Sequence, residues 1–346
     1  MRIAQVAPLA ESVPPQLYGG TERVVSWLTE ELVSRGHEVT LFASADSSTG
    51  ATLVPVWPQA LRLGRPKTDP VVAGMVALET VARRAADFDI IHCHLDWCHL
   101  PVLSRLSTPF VTTLHGRLDL PGVPALMAAF PNAPFIAISS SQRRVVPDAR
   151  WLATIHHGFP PDSLAPRYEP GRYAAFLGRL SPEKGPEAAI RIAHAAGMML
   201  RIAAKIPSDS TRYFQQRLRP LIDGQDVALI GEVGGRDKER LLAEAAALIF
   251  PIDWPEPFGL VMIEAMACGT PVIAYDHGAV AEVVEHGVSG FIVADEPAAV
   301  DALRRIGSLD RRRVRAAYER RFTAARMASD YEAAYRTLCA ANLPAP

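Results

Sequence analysis

The chain is poor in the features that mark most specialised protein classes. Its four cysteines, Cys93, Cys98, Cys268 and Cys339, lie in apolar segments without the paired spacings of a disulfide framework, so reduced thiols are expected. There is no excess of charge of either sign: 36 basic and 37 acidic side chains give a net charge of −1. The first 160 residues carry 13 of each, so no basic face exists to draw a polyanion, and nucleic acid is not an expected partner. No apolar run approaches the ~18 residues of a spanning helix. MRIAQVAPLA is too short and too interrupted by proline for a signal peptide, and a cytoplasmic location is expected. Neither Asn132 nor Asn342 opens a glycosylation sequon.

What remains is a chain of 346 residues, 49% hydrophobic, enough for two ordinary domains. Short β-rich runs alternate with helical ones. Residues 3–7, 39–43, 90–93, 110–114 and 135–138 read as buried parallel strands, with a helical pattern at 21–34 between the first two. After a Pro-rich linker, 157–170, the alternation restarts at 173–177, 200–204, 227–230, 248–250 and 272–274. The expectation is α/β: two doubly wound Rossmann-like domains, 1–158 and 170–323. Ligands of such sheets bind at the carboxyl ends of the strands, so two of them facing across a cleft would concentrate function in post-strand loops.

The densest signal is PIDWPEPFGLVMIEAMACGTPVIA, residues 251–274. Two carboxylates, Glu256 and Glu264, interrupt an apolar stretch around a Phe-Gly step. Pro257 and Gly259 mark a loop that turns into a helix, which Gly-Thr-Pro ends. Eight residues at helical rise span roughly 12 Å, about the distance from the hexose of a nucleotide sugar to its ribose. One carboxylate can grip each end, while the N–H groups bared at Phe258, Gly259 and Leu260 favour an anion. A lone buried Glu is as readily the partner of an arginine; the pair together with a helix start favours a ligand.

Other strand ends carry supporting residues. Gly19 and Gly20 follow the first strand just before a helix begun by Thr21, where backbone can approach a phosphate closely. Arg179 and Lys184, in LGRLSPEKG, follow the first strand of the second domain. Two fixed cations there can neutralise a departing diphosphate in place of a metal. Lys205 is a third cation after the next strand, and His115 ends the strand 110–114. IHCHLDWCH, residues 91–99, is rich in metal-ligand types, but its spacing fits no zinc pattern, and His92 and His94 share one strand face while Cys93 points the other way. Asp87-Phe88-Asp89 precedes a strand instead of ending one and reads as a solvated lead-in. The arginine-rich segment 304–326 reads as the polar face of terminal helices.

EPFGLVMIE, EAMACGTPVIA and HGVSGFIV, with LYGGTERVV, TLHGRLDLPG and LGRLSPEKG in order before them, resemble the retaining family 4 glycosyltransferases, whose Glu-x7-Glu signature lies in the C-terminal domain of a GT-B fold. The resemblance implies a hexosyltransferase using a nucleotide-diphosphate sugar, with no cofactor and no metal, and a hydroxyl acceptor whose class extends to lipid-linked and polysaccharide acceptors. It also allows peripheral contact with the inner face of a membrane, for which 304–326 is the segment to examine. It implies that the first domain lies on the acceptor side and that a C-terminal helix, 324–346, packs back on it. Glu256 would orient the hexose, Glu264 the ribose, and Arg179 with Lys184 the diphosphate. The Gly19-Gly20 loop would serve the diphosphate and the acceptor side, and His115 the hexose near its reacting carbon. The loop at Glu232 and Val233 is expected to recognise the base through its backbone, and Trp254 to shape the acceptor pocket. Two other classes share these features: a sugar-nucleotide epimerase of the same fold, which would need acid and base carboxylates at the sugar, and a silent sugar-binding subunit, which the intact pair disfavours.

Overall fold

The computed structural model describes residues 1–17, 19–207 and 210–341. The last five positions of the expected C-terminal helix, and Asn342 with them, lie outside this set. The chain divides into two compact units, one formed by 1–160 together with 324–346 and the other by 161–323.

The first unit is built on seven parallel strands: β1 (Arg2–Val6), β2 (Glu38–Ser44), β3 (Thr52–Trp57), β4 (Ile90–Cys93), β5 (Phe110–Leu114), β6 (Phe135–Ala137) and β7 (Trp151–Thr154), in the order β3-β2-β1-β4-β5-β6-β7. The central strands are buried on both faces, because helices cover both sides of a parallel sheet; every residue of β4 and β5 is buried. The helix Gly20–Ser34 packs through Val24, Val25, Leu28 and Leu32, a stripe with helical spacing. The terminal helix Ala324–Ala341 belongs to this unit and buries Met327, Tyr331, Tyr335 and Leu338.

The second unit repeats the plan with six parallel strands, β8 (Tyr173–Arg179), β9 (Leu200–Lys205), β10 (Val227–Gly231), β11 (Ala245–Phe250), β12 (Val272–Tyr275) and β13 (Gly290–Val293), in the order β10-β9-β8-β11-β12-β13. Both sheets reverse direction of growth between their first and fourth strands, β1/β4 and β8/β11. Those are the points where loops splay apart and a ligand crevice opens at the strand ends.

The structure departs from the sequence expectation in the strands β3, β7 and β13, which the hydrophobic pattern missed, and in the arginine-rich segment. Arg311 and Arg315 do not line a polar face: they are 8% and 7% exposed. Arg311 donates to the carbonyls of Arg167 (2.7 Å), Ala243 and Ala245 (both 2.8 Å) and to Thr270 Oγ1 (2.7 Å). Arg315 donates to the carbonyls of Pro161, Leu164 and Ala267. A planar guanidinium with five donors suits this task, gathering carbonyls left open at helix and strand ends. The helix Arg311–Arg321 is thereby nailed to the second unit, and two of its charges are removed from the surface a lipid could meet. Among the described residues no helix is long and apolar enough to cross a membrane.

Arg311→Ala would strand four acceptors, three of them in buried contacts. It is expected to lower the unfolding free energy by about 3 kcal/mol, visible as a lower urea midpoint; an unchanged midpoint would show that these contacts contribute nothing.

Candidate functional site

In the second unit the loops after β8 and β11, on either side of the switch point, are stitched together. Asp253 N donates to the carbonyl of Glu183 (2.8 Å), and Gly185, with φ 69°, lies so close to Pro251 that a Cβ would meet its carbonyl oxygen at 2.0 Å. This close approach delivers Lys184 to Glu256, an ion pair between residues 72 apart in sequence. Trp254 Nε1 donates to the same oxygen, Oε2, at 2.9 Å, and the Lys184 ammonium sits 4.4 Å from the Trp254 ring centroid. Trp254 thus faces Glu256 itself. Among the described residues Oε1 of Glu256 accepts no hydrogen bond. The carboxylate backbone is clamped from behind by Gly278 (φ 62°), where a Cβ would lie 2.3 Å from Glu256 N, and by Ala279 N, which donates to the Glu256 carbonyl at 2.9 Å.

Glu264 is on the helix Leu260–Ala267, 6% exposed. It too is paired: Lys238, 9% exposed on the helix Gly235–Ala243, binds its Oε1. The expected carboxylates therefore come as two lysine–carboxylate pairs, with one oxygen of each engaged. Sequence reasoning missed Lys238, which stands in the charged run GRDKER with nothing to distinguish it from a solvated helix start. Gly259 caps the Glu264 helix in the left-handed region (φ 82°) without a side-chain cap, so the first N–H groups of the helix stay available to an anion. Phe258, just before it, is buried edge-on against Phe322.

Arg179 is the last residue of β8 and lies 3.4 Å from Glu183, whose carboxylate also accepts from Ser181 Oγ at 2.5 Å. Its Nε is buried without a hydrogen-bond partner among the described residues. Lys205 ends β9, its carbonyl accepting from Leu180 N. Glu232 and Val233 follow β10, both half-buried.

In the first unit Gly19 and Gly20 follow β1. The helix starts at Gly20 with Gly19 as its cap, in a conformation (φ 149°) where a Cβ would strike Pro15 at 2.7 Å; Thr21 makes no cap. Glu22, which nothing in its sequence context singles out, is 4% exposed in the first turn of this helix. Burial, reinforced by the Glu11 carboxylate, pushes its carboxyl up to about 7, against a counter-pull from backbone N–H groups and from Arg62, which pairs with Glu11. His115 follows β5 on a turn held by the buried Gln142, whose amide donates to the carbonyls of Leu114 (2.9 Å) and Gly116 (2.8 Å). Its Nε2 is 2.9 Å from His94 Nδ1, and its ring stacks on His157. Burial pushes the imidazole down to about 3; the residue as a whole is half-buried, which moderates the shift without changing its direction. His92, His94 and His157 are likewise pushed well down by burial. Asp89 is tied to Arg2 (2.9 Å) and Asp87 to Arg84 (3.0 Å). Among the described residues no group of three or more His, Cys, Asp or Glu side chains is placed to hold a metal ion.

Two Rossmann-like units that share the order of their first six strands, with paired carboxylates and cations at the switch point of the second, define the GT-B class of sugar transferases. Two family profiles follow one another along the chain: "Glycosyltransferase Family 4" matches residues 18–164 and "Glycosyl transferases group 1" residues 165–321. The protein is a glycosyltransferase related to both families, drawing on a nucleotide-sugar donor. Its curated relatives include a D-inositol 3-phosphate glycosyltransferase of Mycolicibacterium vanbaalenii, 28% identical over 80% of this chain and 74% of that one, and an uncharacterized glycosyltransferase of Methanocaldococcus jannaschii, 26% identical over 84% and 85%. Among solved structures, a glycosyltransferase involved in avilamycin A biosynthesis is 29% identical over 98% of both chains, with a TM-score of 0.76. Sucrose-phosphate synthase of Thermosynechococcus elongatus, 20% identical over 99% of this chain and 100% of that one, shares the fold with a TM-score of 0.80.

A carboxyl whose pKa is raised on folding weakens the fold as pH rises. Below the unfolded value of 4.5 Glu22 is protonated in both states; between there and about 7 the unfolded chain ionises while the folded one holds its proton. Stability should fall across that window by roughly 3 kcal/mol. Glu22→Gln should flatten the slope and raise the pH 8 melting temperature; a variant with the wild-type slope would place the titration elsewhere.

Proposed function

We propose that the protein is a retaining, metal-independent hexosyltransferase that carries a hexose from a nucleotide-diphosphate sugar to an acceptor hydroxyl. The observation that carries this reading is the state of the two carboxylates. A lysine engages one oxygen of each, at Glu256 and at Glu264, and the other oxygen of each is left to accept hydrogen bonds from hydroxyls. Each lysine holds its carboxylate in one orientation, the condition for gripping a polyol. Glu256 then orients the hexose hydroxyls beside the N–H groups of Phe258, Gly259 and Leu260, and Glu264 holds the ribose.

Charge that grows on the departing diphosphate is met by Arg179, with its unpartnered Nε, by Lys184, and by Lys205 beyond β9. These fixed cations take the role a metal plays elsewhere. The Gly19-Gly20 loop serves the diphosphate and the acceptor side, and backbone at Glu232 and Val233 recognises the base. In the step itself the bond from the anomeric carbon to the diphosphate oxygen breaks and the bond to the acceptor oxygen forms on the same face of the sugar. The acceptor proton passes to the departing phosphate oxygen. His115 is too weak a base to take that proton, its pKa being held down by burial, and its part is contact with the hexose. The complexes of Anabaena HepE, one with UDP and glucose and another with UDP-glucose, on the same fold (TM-scores 0.74 and 0.73), support a nucleotide sugar as the donor.

Calorimetric titration with UDP, GDP, ADP and dTDP in EDTA tests this directly. One nucleotide is expected to bind without metal, naming the base; silence from all four contradicts the metal-free donor site. Glu264→Gln should weaken the nucleotide that binds about tenfold, or ~1.4 kcal/mol, and an unchanged affinity would remove Glu264 from the ribose.

A further inference from the structure

The strand ends of the first unit hold a chain of side-chain hydrogen bonds that the sugar-transfer step leaves unexplained. Gln5, on β1, is its centre. Its carbonyl Oε1 lies 2.8 Å from His94 Nε2, and its amide nitrogen 3.2 Å from the Tyr335 hydroxyl. On one side the chain continues from His94 Nδ1 to His115 Nε2, 2.9 Å. On the other it runs from Tyr335 to His92 Nδ1 (2.7 Å), from His92 Nε2 to Thr113 Oγ1 (2.7 Å), and on to the Tyr331 hydroxyl (3.0 Å). Gln5, His92, Thr113, Tyr331 and Tyr335 are fully buried, and His94 nearly so. Both tyrosines come from the helix Ala324–Ala341, at the far end of the chain.

Burial keeps these imidazoles neutral, so each has one N–H and one lone pair to place, and every link holds one proton. The protons can then be followed. Gln5 Oε1 only accepts, so His94 carries its hydrogen on Nε2 and offers Nδ1 as an acceptor. His115 must donate to it from Nε2, which leaves His115 Nδ1 bare. On the other branch the Gln5 amide donates to the Tyr335 oxygen, the Tyr335 hydrogen goes to His92 Nδ1, and His92 Nε2–H donates to Thr113. Turning the Gln5 amide over would reverse every link, and His115 would then present Nδ1–H. The chain therefore has one direction for each setting of one amide.

We propose that Tyr335 is a positioning residue that, through Gln5 and His94, fixes His115 in the Nε2–H tautomer and so presents Nδ1 as the acceptor for a donor-sugar hydroxyl. The tautomer control stands on this geometry alone; its use on the sugar rests on the reading of His115 given above. The terminal helix then has a chemical task in the first unit besides covering its sheet. Without the Tyr335 hydroxyl, Gln5 loses the acceptor that holds its amide and His92 loses its donor, so both amide settings become accessible and His115 becomes a mixture.

Selective 15N-histidine labelling of the full chain, with His115 assigned by its absence in His115→Gln, reads the protonation of each ring nitrogen in the ligand-free protein. Wild type is expected to show His115 as the Nε2–H tautomer alone, and Tyr335→Phe as a mixture, with Gln5→Met as a second variant that cuts the same link if the first does not fold. Nδ1–H at His115 in the wild type, or an unchanged tautomer in the variant, overturns the proposal. The same variants should reduce the preference for UDP-glucose over UDP, or for the corresponding pair if another base binds, by about tenfold, with the nucleoside diphosphate itself bound within about twofold of wild type. A shifted tautomer with an unchanged preference would leave the hydrogen-bond chain standing and refute the hexose contact of His115.

Discussion

The ion pair between Lys184 and Glu256 is the contact on which the second unit's site depends. It joins the loops that leave the sheet on either side of its switch point, and it exists because two glycines let the backbones come together. Gly185 meets the carbonyl of Pro251 and Gly278 meets the backbone of Glu256, each at a separation that no Cβ could occupy. A desolvated pair of this kind is favourable only if its geometry is good and its other polar atoms are satisfied. Trp254 supports that geometry twice, with its indole N–H on the carboxylate oxygen that the lysine holds and its ring beside the ammonium, while Oε1 has no partner among the described residues. The loops are thus set before any substrate arrives, which is what orientation of a sugar requires.

The two units use one topology for two kinds of chemistry. At the strand ends of the second, charge is kept in pairs: Lys184 with Glu256, Lys238 with Glu264, Arg179 with Glu183. At those of the first, a row of buried imidazoles is kept neutral and joined by hydroxyls and one amide. Fixed charges suit a diphosphate whose own charge grows during the reaction. Neutral donors and acceptors add directional contacts to sugar hydroxyls without adding charge. Arg311 and Arg315 serve neither purpose and are structural, closing carbonyls that the second unit leaves open.

Much of this was legible in the sequence, and the gaps have physical causes. Interior strands such as 90–93 (IIHC) and 110–114 (FVTTL) could be read from short uncharged runs rich in apolar and β-branched residues, as a parallel strand covered on both faces requires. The strands that escaped notice, β3, β7 and β13, all lie at sheet edges. β3 and β7 are only partly covered, and β3 tolerates Pro55, which a central strand would reject; β13 is mostly buried but only four residues long. Glu256 and Glu264 stood out because a charge in an apolar helix start demands a reason. Lys184 stood out only as a cation for the diphosphate and Lys238 not at all, and neither pairing could be read, since partners 72 and 26 residues apart leave no local trace. For the same reason His92 and His94 could be placed on one strand face but not joined to Tyr335, 243 residues from His92. Arg311 and Arg315 were misread because a charged pattern on a helix looks alike whether its side chains turn to water or reach inward to carbonyls.

The central claim is that Glu256, held by Lys184, recognises the hexose. The direct measurement is the affinity for the intact nucleotide sugar relative to that for its nucleoside diphosphate, in wild type and in Glu256→Gln. If the account is right, the variant loses the added affinity due to the hexose, about tenfold, while the nucleoside diphosphate binds as before. An equal ratio in the two proteins would mean that the carboxylate only braces the loop, and the assignment of the hexose site to this part of the fold would be wrong.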